Sequence, residues 1–500
     1  QDGRYAIHEV IRRFSLEKLE SDNSEWEMAH QKYVDYYAGV MLEASKNLYG
    51  RQQIETLNLI NQEIENVLHA WNWCIDHALW HQIDQMLQSL FLFYEIRGLV
   101  QEGDKVLLQA QVLLESLDET EFGEAEPIQL LLGRILVRRG VFVRRLALYE
   151  ISQGFTESGL EILRHQSDAS EQAFALLKLG QLFEEIGNYE AGRSACREGL
   201  LLYQNLNDQH GTAQVLNQLG VIAYQCGRYA EAEKYTMDSL DIFRKLEDTW
   251  NLAMVLVNLG NVESELGVYH RAQRYYREAL EFFQQVGDVS GKAAALNNLG
   301  DIARELAEFD QAQAYLQQSL NLYQQLGNRY GQSVAMCNLG EVLNRQNETT
   351  KAHQILQQSL AICDETGNRT GMAYALVNLA TIMTRQGDYE TARQFLCRAI
   401  SLAHENEALP LVMDVLIAYG QWLRLNDKGI QALQVLMYAS RHPATMKARK
   451  KEAERLISRL ASELPPAETR QAYEISVMQS MDEILQIVKD ECQTSFSQEM

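Results

Sequence analysis

The chain has 500 residues, 46% of them hydrophobic and only five of them proline, and its 68 acidic against 45 basic side chains give a formal net charge of −23. So little proline fits a nearly all-helical chain with material for several cores, and no apolar run approaches the roughly 20 residues that a membrane-spanning helix needs. An acidic surface repels phosphates, which argues against nucleic acid or anionic membrane as a partner of the whole surface while leaving local basic patches open.

The sequence starts at Gln1 without Met or a basic-then-apolar leader, so it is expected to be a cut through a longer cytoplasmic protein. Its seven cysteines (Cys74, Cys196, Cys226, Cys337, Cys363, Cys397 and Cys492) are odd in number and scattered, with no Cys-x-x-Cys or Cys/His ligand spacing. They read as small reduced core residues, and no metal site is expected.

Residues 1–20 read as a short extended segment followed by an amphipathic helix to Leu19. His8, between apolar neighbours, would alone be an ordinary structural histidine. The run Ile7-His8-Glu9-Val10, however, resembles the Met-His-Asp-Leu motif that closes the winged-helix domain of STAND-class (NB-ARC-like) NTPases, with Ile7 for Met and Glu9 for Asp as departures. The resemblance implies that His8 touches the β-phosphate of ADP in the intact protein. It also implies that ADP or ATP with Mg belongs to an upstream NTPase domain, that no cofactor is bound here, and that the intact protein can oligomerise on activation.

Over residues 21–82, His30, Tyr33, Tyr36 and Tyr37 fall on one helix, and Glu63-Ile64-Glu65-Asn66-Val67 leads through Ala70 to Trp73. This is similar to the helical connector that follows the winged helix in bacterial STAND regulators. Read from the residues alone, Trp71, Trp73, Trp80, Phe91, Phe93 and Tyr94 supply a helical core. Residues 83–170 then read as irregular repeats broken at Gly98 and Gly140. The pair Leu132-Gly133 stands 47 residues before Gly180, so an insertion is expected between them. Within it Arg134, Arg138, Arg139, Arg144 and Arg145 cluster with no acid from Ile135 to Leu148. This is either a solvated face or a secondary contact for an anionic ligand or a domain of the parent protein, since guanidinium forks suit carboxylate and phosphate.

From residue 171 to 406 one pattern returns every forty residues: Leu179-Gly180, Leu219-Gly220, Leu259-Gly260, Leu299-Gly300, Leu339-Gly340 and Leu379-Ala380. A turn residue (Gly187, Gly227, Gly267, Ala307, Asn347, Gly387) follows in step, and an aromatic stands two places later in every unit except that of Asn347. Such a period signals a solenoid whose units cannot bury their apolar faces alone. The Leu-Gly, Gly-x-Tyr and Ala series resembles tetratricopeptide (TPR) repeats in their longer-helix form. The expected fold is all-α: a right-handed TPR superhelix of about nine helix pairs, six of them regular. A helical connector and the end of a winged-helix domain precede it, and a degenerate repeat and capping helices over 407–500 close what is expected to be the natural C-terminus.

Asn258, Asn298, Asn338 and Asn378, with Gln218 in the same register and Asn217 and Asn297 one place earlier, recur immediately before or near the Leu of the pair. Asn is a mediocre helix former, so its return needs a reason. One reading is a hydrogen-bond chain between repeats; the other is a ligand-binding groove, since the TPR resemblance implies that this position faces the concave side and holds a peptide backbone. One turn on stand Asn261, Asp301, Arg304, Glu341, Asn344, Arg345, Thr384 and Arg385, a mixed lining suited to selecting the ligand.

Residues 441–459 hold seven Lys or Arg, read as the solvated face of a capping helix. The stretch Gly287-Asp288-Val289-Ser290-Gly291-Lys292-Ala293 imitates a phosphate-binding loop but is one residue short and falls in a repeat turn. No catalytic constellation is present, so the fragment is expected not to be an enzyme. The leading expectation is a ligand-sensing, autoinhibitory TPR module of a STAND-class signalling NTPase that binds a protein or peptide in its groove. A free-standing TPR scaffold is the rival.

Overall fold

The computed structural model describes residues 18–19, 22–117, 125–405 and 408–493. His8 and the winged-helix segment around it lie outside the described residues. Among those described, all regular structure is helical. A first group comprises α1 (Asn23–Asn47), α2 (Gln53–Asp76), α3 (Trp80–Arg97), α4 (Val100–Ser116), α5 (Ala125–Arg145) and α6 (Tyr149–His165). The six regular pairs follow as α7 (Ala169–Glu185) with α8 (Tyr189–Asn205), α9 (Gln209–Gln225) with α10 (Tyr229–Leu246), and α11 (Thr249–Glu265) with α12 (Tyr269–Val286). They continue as α13 (Val289–Glu305) with α14 (Phe309–Gln325), α15 (Arg329–Arg345) with α16 (Thr349–Glu365), and α17 (Arg369–Gln386) with α18 (Tyr389–Glu405). The chain closes with α19 (Leu409–Leu425), α20 (Gly429–Arg441), α21 (Lys447–Glu463), α22 (Pro466–Met478) and α23 (Met481–Gln493).

The helices stop because the backbone turns left-handed at every twentieth residue from Ala147 to Gly387. Glycine takes that conformation without cost, whereas Ala307 (φ 62°) and Glu247 (φ 55°) adopt it against a Cβ penalty of roughly 1–2 kcal/mol. The first helices of several pairs are then restarted by a side-chain cap. Asp208 accepts from the Gly211 N–H at 3.0 Å, Asp288 from Gly291 at 2.8 Å, Asn328 from Gly331 at 2.8 Å and Asn368 from Gly371 at 2.9 Å. The phosphate-loop imitation is therefore a helix turn, and the Gly291 amide that might have met a phosphate is bound by Asp288.

Within a pair, the first helix offers a glycine to the residue sixteen places later on the second. A Cβ at Gly260 would lie 2.4 Å from the Tyr276 ring, one at Gly300 2.5 Å from Leu316 and one at Gly340 2.5 Å from Leu356. Buried serines tie the same helices: Ser319 donates to the Ala293 carbonyl at 2.8 Å and Ser359 to that of Ser333 at 2.9 Å. The register reaches further back than Gly180. A Cβ at Gly140 would sit 2.3 Å from Thr156 Oγ1, as one at Gly180 would from Cys196 Sγ. Gly140, forty residues before Gly180, is thus its equivalent, and the insertion expected from Gly133 is absent.

Contacts group the chain into two compact units, Gln1–Ile222 with Asp238–Leu252 and Gln285–Gly287, and Ala223–Met237 with Ala253–Gln284 and Asp288–Met500. In the first unit, Trp71, Phe91, Phe93 and Phe142 are fully buried. The connector also docks on a repeat turn. Gln53 of α2 donates to Asp248 at 3.0 Å and accepts from the Trp250 N–H at 2.9 Å, while Asp248 also accepts from Asn251 and is paired with His210 at 2.9 Å.

In the second unit, a continuous apolar core runs from Ala293 to Val488. Cys397 of α18 and Cys492 of α23 are joined by a disulfide, with Cα atoms 6.0 Å apart. This corrects the expectation that every cysteine is reduced. The two partners lie 95 residues apart in the chain, a separation that shows no local spacing signal. Cys226 is also exposed, contrary to the core reading, whereas Cys74, Cys196, Cys337 and Cys363 are buried as expected.

Two glycine substitutions should move stability in opposite directions. Gly154→Ala on α6 has nothing within 4 Å of its new methyl, so better helix propensity should stabilise the chain by up to about 1 kcal/mol. Gly260→Ala drives its methyl into a buried ring and should destabilise by about 1–3 kcal/mol. Thermal unfolding of the two variants checks both signs.

Candidate functional site

The register that places Asn258, Asn298, Asn338 and Asn378 on the first helix of each pair also contains Arg138, Lys178 and Gln218. Within the first unit the row passes from charged (Arg138, Lys178) to amide (Gln218), and in the second it is amide.

In the first unit, the arginine cluster is neither a solvated face nor open to solvent. Arg138, 4% exposed, grips Glu171 with two bonds of 2.7 and 2.8 Å and Gln88 at 2.5 Å, with its guanidinium over the Phe174 ring. Arg134 bonds Asp84 and Asp168, each at 2.8 Å, and Arg139 bonds Asp104 at 2.8 Å and Gln111 at 2.5 Å. Arg144 is paired with Glu185, and Arg145 donates to the Glu95 carbonyl at 3.0 Å. The forks that would hold an anionic ligand are taken by the protein's own oxygens. Lys178 lies 3.4 Å from Glu95, and both side chains are under 10% exposed. Burial pushes the lysine below its usual range despite the pull of Glu95. Asn217 is half-buried and hydrogen-bonded or otherwise engaged, and Gln218 is buried with no partner for its Nε2.

In the second unit, the amides link successive first helices. Asn298 Nδ2 donates to Asn261 Oδ1 at 3.3 Å, and that same oxygen accepts from the Tyr276 hydroxyl at 2.7 Å. Asn338 Nδ2 donates to Asn297 Oδ1 at 3.1 Å. Asn344 accepts from Arg385 at 3.2 Å through its side chain and 3.3 Å through its carbonyl. Asn258, Asn298, Asn338 and Asn378 all remain half-buried.

Beside this row lies a dense charge cluster. Arg304, buried, bonds Asp301 at 2.5 Å and contacts Glu305 and Glu341, each at 2.8 Å. Arg345 reaches Glu341 at 2.8 Å. Four members were not anticipated: Glu265, Glu305, Asp414 and Arg449. Glu265 repeats forty residues on as Glu305, and Asp414 is the single acid of the apolar helix α19; both signals were legible. Arg449 belongs to the basic stretch expected to be solvated. Lys450, Lys451, Arg455 and Arg459 are indeed exposed. Arg449 instead turns inward, 3.6 Å from Asp414 and 4.0 Å from Glu341.

The cluster separates its carboxyl groups by environment. Burial, then the charges of Asp301, Asp414 and Glu305, push Glu265 up to about 7 against a hydrogen bond from Tyr224. Burial raises Asp414 to about 6 although Arg449 opposes it. Burial would also raise Glu341, but Arg304, Arg449 and Arg345 overcome it and hold the group at about 2.

Over residues 171–405 the periodic helix pairs are tetratricopeptide repeats, a module of the kind that makes protein–protein contacts. Residues 171–405 match the tetratricopeptide repeat family in overlapping windows from 171–245 to 331–405. No curated protein matches the chain. Among solved structures it is similar to a Rap protein complexed with competence and sporulation factor, at 12% identity over 81% of this chain and 99% of that one, with a TM-score of 0.54. It is also similar to a signal transduction ATPase with numerous domains (STAND) carrying a tetratricopeptide repeat sensor from Pyrococcus horikoshii, at 15% identity over 74% of this chain and 55% of that one, with a TM-score of 0.46. The first is a likeness of fold. Among the described residues no helix is long and apolar enough to cross a membrane, and no group of three or more His, Cys, Asp or Glu could hold a metal ion.

Two measurements follow from the buried charges. Lys178→Met leaves Glu95 buried without its cation and should cost about 3–5 kcal/mol, whereas the double change Lys178→Met with Glu95→Gln should recover most of that loss in urea unfolding. Asp414 and Glu265 bind protons more tightly folded than unfolded. Their contribution to stability is therefore full below about pH 4 and is lost as pH rises through about 6 to 7. Asp414→Asn should raise the melting temperature at pH 8, by an amount corresponding to roughly 2–3 kcal/mol, and flatten its dependence between pH 5 and 8.

Proposed function

We propose that this chain is the ligand-sensing TPR module of a STAND-class regulator and that it takes a protein or peptide along the amide row of its second unit. The observation that carries this reading is the geometry of Asn298 and Asn338. Each gives one N–H to a neighbouring repeat and stays half-buried, leaving a second N–H and a carbonyl oxygen to a ligand. The brace and the groove are therefore compatible roles, because the bond between repeats fixes the orientation of the amide that meets the ligand.

Spacing supports the same reading. Neighbouring helices pack about 8–10 Å apart and an extended peptide advances about 3.3 Å per residue, so one amide meets every third peptide unit. Amides read backbone; selection among ligands falls to Arg304, Glu341, Arg345 and Arg385. The Rap protein of similar fold is itself complexed with competence and sporulation factor, in keeping with a ligand-binding module here. The STAND assignment rests on the resemblance of Ile7-His8-Glu9-Val10 to the motif that contacts ADP. Ligand binding would act on the upstream NTPase only through unequal affinity for its resting and active states.

The test is display of random peptides against the full chain, followed by fluorescence anisotropy of the enriched sequences. Each amide contributes about 0.5–1.5 kcal/mol, so Asn298→Ala with Asn338→Ala should weaken binding roughly tenfold or more whatever the peptide sequence. Arg345→Ala should instead change which peptides are preferred. Unchanged affinity with a lowered melting temperature would mean that the amides only brace the repeats.

A further inference from the structure

The acidic cluster beside the amide row contains a group whose bonding is incomplete. The Asp414 side chain is 4% exposed, and neither of its carboxylate oxygens has a hydrogen-bond partner. A buried carboxylate left in this state is unfavourable. The nearest cation, Arg449, holds its Nε 3.6 Å away, an ion pair without a hydrogen bond. Its other nitrogens are directed elsewhere: one bonds Glu452 on its own helix at 3.0 Å, and another stops 4.0 Å short of Glu341. Arg449 lies between two acids and bonds neither.

The surroundings ask for positive charge. Glu265, Asp301 and Glu305 stand close enough to Asp414 or to one another for their charges to act together, and Arg304 is the buried cation spread among Asp301, Glu305 and Glu341. The cation already present among these acids is a guanidinium, that of Arg304, so the chemistry that suits them is that of an organic cation. Lys447, two residues before Arg449, donates to the Leu266 carbonyl at 2.6 Å and lies over Gly267, so the start of α21 already lays a basic segment against this unit.

We propose that the second unit carries a subsite for a guanidinium or ammonium side chain of the ligand, centred on Asp414, and that Arg449 is a resident stand-in which the ligand's cation displaces. A ligand guanidinium, unlike Arg449, is free to orient for paired N–H···O bonds of about 2.7–2.9 Å. The subsite names the ligand class, a peptide with a basic side chain, and couples its arrival to movement of the start of α21. It rests on the groove reading above.

The experiment uses the full chain and a fluorescein-labelled synthetic peptide with the sequence of residues 445–456, together with the same peptide carrying citrulline in place of arginine at position 449. Removing the internal competitor with Arg449→Gln should tighten binding of the arginine peptide at least tenfold relative to the unaltered chain. The citrulline peptide should bind the Arg449→Gln chain at least tenfold more weakly than the arginine peptide. Adding Asp414→Asn, which keeps shape and volume, should abolish that preference without lowering the melting temperature. Equal binding of the two peptides, no binding of the arginine peptide to the Arg449→Gln chain, or a preference that survives Asp414→Asn overturns the proposal. If this preference is absent while Asn298→Ala with Asn338→Ala still weakens display-selected peptides, the cation subsite fails and the groove reading stands. If the preference is present and the asparagine changes do nothing, the groove reading fails alone.

Discussion

The closeness of the two helices in each pair governs the rest of this structure. Gly260 against Tyr276, Gly300 against Leu316 and Gly340 against Leu356 leave no room for a methyl, so backbone meets side chain directly. A left-handed residue every twenty positions then aims each helix back along its predecessor. Most contacts are consequently local, as expected of repeat proteins. The docking of Gln53 on Asp248, 195 residues away in the chain, is an exception that ties the connector to a repeat turn.

Close packing also brings polar positions of the first helices into confined space, and buried polar groups must find partners there. The two units meet this demand with different chemistry. Arg138 and Lys178 require carboxylates, and Glu171 and Glu95 supply them; each such pair satisfies itself and leaves little for a partner. An asparagine amide carries both donor and acceptor, so Asn338 can bond Asn297 and still present unused groups. The same register thus serves as closed internal bracing at Arg138 and Lys178 and as bracing with spare valence at Asn298 and Asn338.

What was legible in the sequence is what repeats. The Leu-Gly pairs, the turn at residues such as Gly187 and Asn347, and the Asn register each recur at forty residues, and the helix boundaries follow them. What was not legible lacks a local signature. Arg138-Arg139-Gly140 stands where Asn-Leu-Gly would, which hid the register and drew the reading to Gly133. The acids that neutralise the arginines, Asp84, Glu171 and Glu185, come from other helices 33 to 50 residues away, outside the window in which the cluster looked uncompensated. The Cys397–Cys492 disulfide and the inward turn of Arg449 are tertiary in the same sense. Asp414 differs, because a lone acid in the apolar run of α19 was a readable anomaly.

That anomaly bears on why the inner face of the second unit is built as it is. An apolar residue at position 414 would remove a costly buried charge, and burial together with neighbouring carboxylates already pushes Asp414 and Glu265 toward protonation. Glu341 shows the opposite outcome: with Arg304, Arg449 and Arg345 around it, a buried carboxylate is held firmly charged. The difference between the two acids is not burial but the number and orientation of cations that reach them. A site with one carboxylate fully served and another underserved is poised to gain from an additional cation, and anything that binds only the folded form stabilises it by mass action. The cost of leaving Asp414 incompletely bonded in the free protein is then the difference in energy that a basic ligand can use.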